Sequence, residues 1–197
     1  MPKRVKFSSR DITRVSLFTA LAIASAVIVR LGTGTMVVPF SLLPMVALLS
    51  GMILGSKLGA VSMFIYVLLG LIGVPVFASP PYGGFTYILK PTFGFLLGFI
   101  LASWLSGKVI ESGKGLLRDY FLASLLGLLT IYLVGLPYLY LILNFYLGKS
   151  TDVVGVLKLG FFPFIIPDVI KSIISSLSAK AIVTRLESIG IGKTQSL

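Results

Sequence analysis

The chain has 197 residues, 56% hydrophobic and 12% charged, with a formal net charge of +11; an ordinary soluble domain is about 25% charged. So few polar side chains cannot cover a water-exposed surface, and a mean hydropathy of +1.05 makes lipid the expected solvent. With no Cys and no His, disulfides, thiolate or imidazole metal sites, and Ser-His-Asp or Cys-His nucleophilic catalysis are excluded.

Along the chain, a basic start, MPKRVKFSSRDITR, precedes an apolar stretch that predicts a first helix over 12–31. It is long enough to span a bilayer and has no clear cleavage site, so the expectation is a retained helix rather than a signal peptide. Ser16, Ala20 and Ala24 recur at spacing four, as do Ala22 and Ala26. Small residues at this spacing let a second helix approach closely in lipid. They serve either a contact inside the bundle or a docking surface for a partner membrane protein. The Gly32-Thr33-Gly34-Thr35 loop is not a phosphate-binding signature, and no Walker-type motif occurs in the chain. Helices 2 and 3 are predicted at 41–54 and 58–74, joined by the four-residue turn Gly55-Ser56-Lys57-Leu58.

The segment VPVFASPPYGGFTYILKP follows. Its prolines and the Gly83-Gly84 pair cannot continue a helix, and its apolar residues need cover, so an ordered loop or short hairpin is expected. It is either an interface belt of Tyr and Phe or a binding loop. Helix 4 is predicted at 92–110, with Trp104 an interfacial or packing residue, and helix 5 at 120–134. After Gly135-Leu136-Pro137, the short apolar YLYLILNFYLG and the amphipathic TDVVGVLKLG suggest a shallow or re-entrant helix rather than a seventh crossing. Asn144 there is expected to make a local hydrogen bond. Helix 6 is predicted at 164–186.

The basic residues lie at the ends of apolar runs, which argues for membrane topology and against a nucleic-acid surface. With six spans and an inner N-terminus, the outer segments hold only Arg30, Lys90, Lys149 and Lys158, and Lys171 lies within a span. The other basic residues fall inside, so both termini are expected in the cytoplasm. The expected architecture is a single all-α integral membrane domain, a six-transmembrane-helix bundle. Its outer Pro/Gly/aromatic loop joins helices 3 and 4.

Of the six acidic residues, only Asp168 lies away from the ends of the apolar runs, so no buried carboxylate pair is offered for acid–base or two-metal chemistry. No enzyme activity and no cofactor are expected. In FFPFIIPDVIKSIISSLSA, Asp168 and Lys171 stand three residues apart, on one face of a helix and within pairing reach. A charge near the bilayer centre costs roughly 2.5–3.5 kcal/mol even on gentle scales, so both groups must face the interior, a cavity or a ligand. They form either a polar ligand site or a structural ion pair that fixes packing. Asp168, following Pro167, suits a first-turn position favoured by the helix dipole. Lys90 is either a snorkelling interfacial lysine or a third charge at the same outer pocket. Tyr82, Phe85 and Tyr87 would line that pocket, and Gly83 and Gly84 would let backbone approach a ligand closely.

Three stretches together, VPFSLLPMVALLSGMILGSKLGAVSMFIYVLLGLIGVPVFA, GGFTYILKPTFGFLLGF and PFIIPDVIK, resemble the BioY biotin-transporter family. Its members are the substrate-capturing (S) components of energy-coupling-factor transporters. The resemblance implies a biotin-binding bundle at the plasma membrane, partnered by a transmembrane coupling subunit and two cytoplasmic ATPases. The Ala20/Ala24 and Ala22/Ala26 ridges are similar to the motif that docks such components on the coupling subunit. Asp168 and Lys171 match the aspartate and lysine of the family's PxDxxK-like stretch, which implies that Asp168 accepts a ureido N–H and Lys171 donates to a ligand oxygen. The chain departs from the family pattern at Leu43, where a glutamine is usual, and at Lys90 and Phe93, where glycines are usual. Lys90 then offers a partner for the valerate carboxylate.

Overall fold

The structure is a computed structural model that describes residues 8–32 and 41–189. The basic residues Lys3, Arg4, Lys6 and Lys193, the loop residues Thr33 to Thr35 and the VPF of the first family-like stretch lie outside the described residues. The described residues form seven α-helices and no strand: α1 Ser9–Gly32, α2 Leu43–Leu54, α3 Ser56–Leu71, α4 Phe93–Ser112, α5 Leu117–Leu141, α6 Val153–Gly160 and α7 Phe162–Ser188. A 3-10 turn, Phe85–Leu89, precedes α4, and a π turn, Ile142–Tyr146, prolongs α5.

Four helical stretches, Ser9–Leu31, Phe93–Ser112, Leu117–Tyr146 and Phe162–Ser188, are long and apolar enough to cross a membrane. The shorter α2, of 12 residues, extends about 18 Å at 1.5 Å per residue, less than the ~30 Å hydrocarbon core. Large apolar side chains point outward all round, among them Leu17, Ile28, Leu125, Leu133 and Ile166. In water this surface would be a liability; in lipid it is the matching solvent face.

The core has α4 at its centre, packed on α5, α2 and α3, while α7 lies across α5 and α2, and α1 across α3 and α2. Close approach makes this possible. A Cβ on Gly51 would fall 2.0 Å from the Ser103 carbonyl oxygen, and one on Gly107 would fall 2.3 Å from the Ser56 nitrogen. Buried hydroxyls then tie the helices together: Ser50 meets Ser103 at 2.7 Å, Ser124 meets Ser176 at 2.7 Å, and Thr19 donates to the Ser62 carbonyl at 3.0 Å. Small residues and interhelical hydroxyl bonds replace the hydrophobic drive that lipid does not supply.

The seventh helix among the described residues, α6, is eight residues long, too short to cross, and falls where a shallow or re-entrant helix is expected. Two expectations are corrected. Helix 5 does not stop near residue 134: it runs through Pro137 to Leu141 and on into the π turn. The four-residue turn after α2 is a single residue, Gly55, whose φ of 87° breaks the helix at once. At the other side of the same bundle end, Glu111 accepts from the Ser56 N–H at 2.7 Å and from its hydroxyl at 2.9 Å, covering the start of α3.

The bundle thus has two distinct ends. One carries the 72–92 loop and the end of α1; the other carries Lys57, Lys108, Lys114, Arg118 and Arg185.

Candidate functional site

The site is built where α5, α7 and the start of α2 meet. Because α7 begins at Phe162, Asp168 falls in its second turn and not in the first as expected. The helix-end dipole fades within one turn, so neighbouring groups hold the charge. Asp168 is 7% exposed. Its Oδ1 pairs with the Lys171 ammonium, and its Oδ2 accepts a hydrogen bond from the Tyr132 hydroxyl of α5 at 2.6 Å. Lys171 also donates to the backbone carbonyl of Ser41, just before α2, at 2.7 Å. Both charges therefore face the bundle interior. The Tyr132 ring is set edge-on against Phe161 at 4.9 Å and Phe95 at 6.3 Å between centroids.

Tyr132 is a residue of the candidate site that nothing in the sequence marks out. An aromatic inside the apolar run LLTIYLVG gives no sign that its hydroxyl meets a carboxylate 36 residues later. A buried tyrosine does need a hydrogen-bond partner, and that need was the only available signal.

The aromatic loop is an ordered cap. Gly84 donates to the Gly70 carbonyl at 2.7 Å, Phe77 to the Tyr82 carbonyl at 2.8 Å and Tyr82 to the Ser79 carbonyl at 2.8 Å. Tyr87 is buried, stacked 4.1 Å from Phe77, with its hydroxyl 2.8 Å from that of Ser79. Tyr82, at φ 64°, lies under the Arg30 guanidinium, 4.9 Å from the ring centroid. The Arg30 side chain also donates to the Pro75 carbonyl at 3.2 Å, which pins the loop to the end of α1.

The expected lining residues do not converge. Phe85 is 75% exposed and stands away from the packed set. Gly83 does permit a close approach, but to the loop itself: a Cβ there would fall 2.5 Å from the Val74 carbonyl oxygen. Lys90 is half-buried and makes no side-chain hydrogen bond or ion pair among the described residues. Its turn is held by α5, where the Tyr138 hydroxyl donates to the Ile88 carbonyl. Tyr132 and Tyr138 are about 9 Å apart along the α5 axis, so one helix touches both the Asp168 pair and the turn that carries Lys90. No contact joins Lys90 to the pair among the described residues.

The two alanine ridges separate. Ala22 and Ala26 are fully buried against the bundle, so they are internal packing and not the docking surface expected of them. Ala20 and Ala24 face outward. Two residues are about 200° of helical rotation, which turns the second ridge to the opposite side.

An all-α, multi-pass membrane bundle that buries an ion pair in its interior defines the class. Its fold is that of an S component: it matches the crystal structure of the S-component for biotin from an ECF-type ABC transporter with a TM-score of 0.65. That match covers 90% of this chain and 94% of that one at 22% identity. The BioY family model matches residues 1–188, and the chain belongs to the BioY family. It is 36% identical to a probable biotin transporter BioY of Lysinibacillus sphaericus, over 88% of this chain and 86% of the relative. It is 37% identical to one of Pyrococcus horikoshii, over 83% and 90%, and 36% identical to the biotin transporter BioY of Thermotoga maritima, over 86% and 94%.

Proposed function

We propose that this chain is the biotin-binding, substrate-capture component of an ATP-driven vitamin uptake transporter, a single membrane domain with both termini in the cytoplasm. The observation that carries the reading is the Asp168–Lys171 pair turned inward between α2, α5 and α7, in a chain whose curated relatives are named biotin transporters. Six helices cross, with α2 and α3 as short crossings and α6 lying shallow. The basic residues gathered at one end of the described bundle support a cytoplasmic placement of that end.

In this reading Asp168 accepts a ureido N–H of biotin and Lys171 donates to a ligand oxygen. Lys90, a half-buried cation without a side-chain partner among the described residues, receives the valerate carboxylate. The ordered loop that holds Tyr82, Gly84 and Tyr87 forms the cap above the ligand, with Gly83 packed within the loop and Phe85 on its outer side. ATP hydrolysis comes from two cytoplasmic ATPase subunits through a transmembrane coupling subunit, which docks on the exposed Ala20–Ala24 ridge of α1.

A second reading rests on a specific observation: Tyr132 and Ser41 already satisfy both charges, as a purely structural pair would require. Calorimetric titration of the detergent-purified protein against biotin, a panel of other vitamins and small carboxylic acids separates the two. Saturable binding of biotin alone supports capture of that vitamin, and selective binding of another compound moves the proposal to that ligand. No binding of any, with stability falling on Asp168 substitution, supports the structural pair.

A further inference from the structure

We propose that Tyr132 is a positioning residue for ligand selection: it fixes the plane of the Asp168 carboxylate so that one oxygen lone pair is aimed at a ligand N–H. This inference rests on the proposed role of Asp168 as the acceptor of a ureido N–H. A carboxylate offers about four lone-pair sites. Here one on Oδ1 goes to Lys171 and one on Oδ2 goes to Tyr132.

The two partners are unequal. Lys171 stands on the same helix as Asp168, three residues on, and its ammonium, also held by the Ser41 carbonyl, is a compact charge that pairs with the carboxylate without fixing its plane. Tyr132 comes from another helix. Its ring is wedged by Phe95 and Phe161 and is 5% exposed, so the hydroxyl has one place to be, whatever Asp168 does. The carboxylate must turn to meet it at 2.6 Å. Tyr132 thus sets the direction of the remaining acceptor sites, and Lys171 supplies compensating charge. Geometry imposed in this way discriminates by hydrogen-bond direction, because a ligand lacking the matching N–H leaves a buried acceptor unmet.

The test uses Tyr132→Phe in the full-length chain, which keeps the ring and its packing. Affinities are measured for biotin and for biotin methylated on a ureido nitrogen. The wild type is expected to prefer biotin by at least about tenfold, the scale of a hydrogen bond to a charged group. In Tyr132→Phe that preference collapses toward unity, with biotin affinity falling and the methylated compound little changed. If both affinities fall in parallel and the preference survives, Tyr132 is only a packing residue and the inference is overturned. If the wild type shows no preference, the Asp168 reading fails first and takes this one with it.

Should the phenylalanine variant not fold, 3-fluorotyrosine at position 132 reports on the intact site by fluorine NMR. Its signal is expected to move with biotin and to stay with the methylated compound; equal movement for both overturns the inference.

Discussion

Lys171 on α7 donates to the backbone carbonyl of Ser41 at 2.7 Å, across 130 positions of chain. The same ammonium pairs with Asp168. One side chain therefore neutralises a buried carboxylate and covers the Ser41 carbonyl just before α2. Charge and backbone are satisfied by a single group, so the two functions fail together when it is removed.

Lys171→Met is expected to lower stability by about 3–5 kcal/mol, the range for breaking one side of a buried pair. Asp168→Asn combined with Lys171→Met removes both charges and recovers most of that loss. Neither variant is expected to bind biotin. Thermal unfolding in one detergent, run beside a binding titration, checks both statements; a double variant that still binds would put the ligand elsewhere.

The two faces of α1 predict opposite phenotypes. Ala22 is fully buried, so Ala22→Leu overpacks the core and is expected to cost about 1–3 kcal/mol. Ala24 faces outward, so Ala24→Leu leaves the melting temperature and biotin binding intact but abolishes co-purification with the coupling subunit. Retained co-purification would remove the docking role.

At the opposite end from the loop, Glu111 and Lys108 separate a backbone cap from a surface pair. Glu111 accepts the Ser56 N–H at 2.7 Å, and Glu111→Ala is expected to cost about 1–2 kcal/mol. Lys108 lies 3.7 Å from Glu111 with half its side chain exposed, and Lys108→Ala should stay within about 0.5 kcal/mol of wild type. Thermal melts of the two variants decide; equal losses would mean that the ion pair, not the cap, holds the turn.

Lys90→Ala is expected to weaken biotin by about tenfold, the worth of one charge-assisted bond. Biotin amide, which has no carboxylate, should bind wild type and variant alike. If the variant weakens both ligands equally, or neither, Lys90 does not meet the valerate tail.

Much of this was legible in the sequence, for physical reasons. Long apolar runs fix helices in lipid, and Asp168 and Lys171 stood out because charge is expensive there. The sequence misleads where one residue type serves two purposes. Gly135 and Pro137 suggested a helix end, yet Gly135 is small because a Cβ would fall 2.4 Å from the Phe95 ring, and the helix passes through Pro137. Gly83 is expected to give a ligand room, and in the fold that room goes to the Val74 carbonyl. The local hydrogen bond expected of Asn144 is present: the side chain joins Tyr140 and Thr151 across the turn before α6. The partners of the ion pair were illegible because Tyr132 and Ser41 meet it only through tertiary packing.

The most direct test is a structure of the protein loaded with biotin. A ureido nitrogen is expected at hydrogen-bond distance, about 2.9 Å, from the Asp168 carboxylate, with the Lys171 ammonium on a ligand oxygen. Biotin seated elsewhere, with Asp168 still held only by Tyr132 and Lys171, would refute the capture role of the pair.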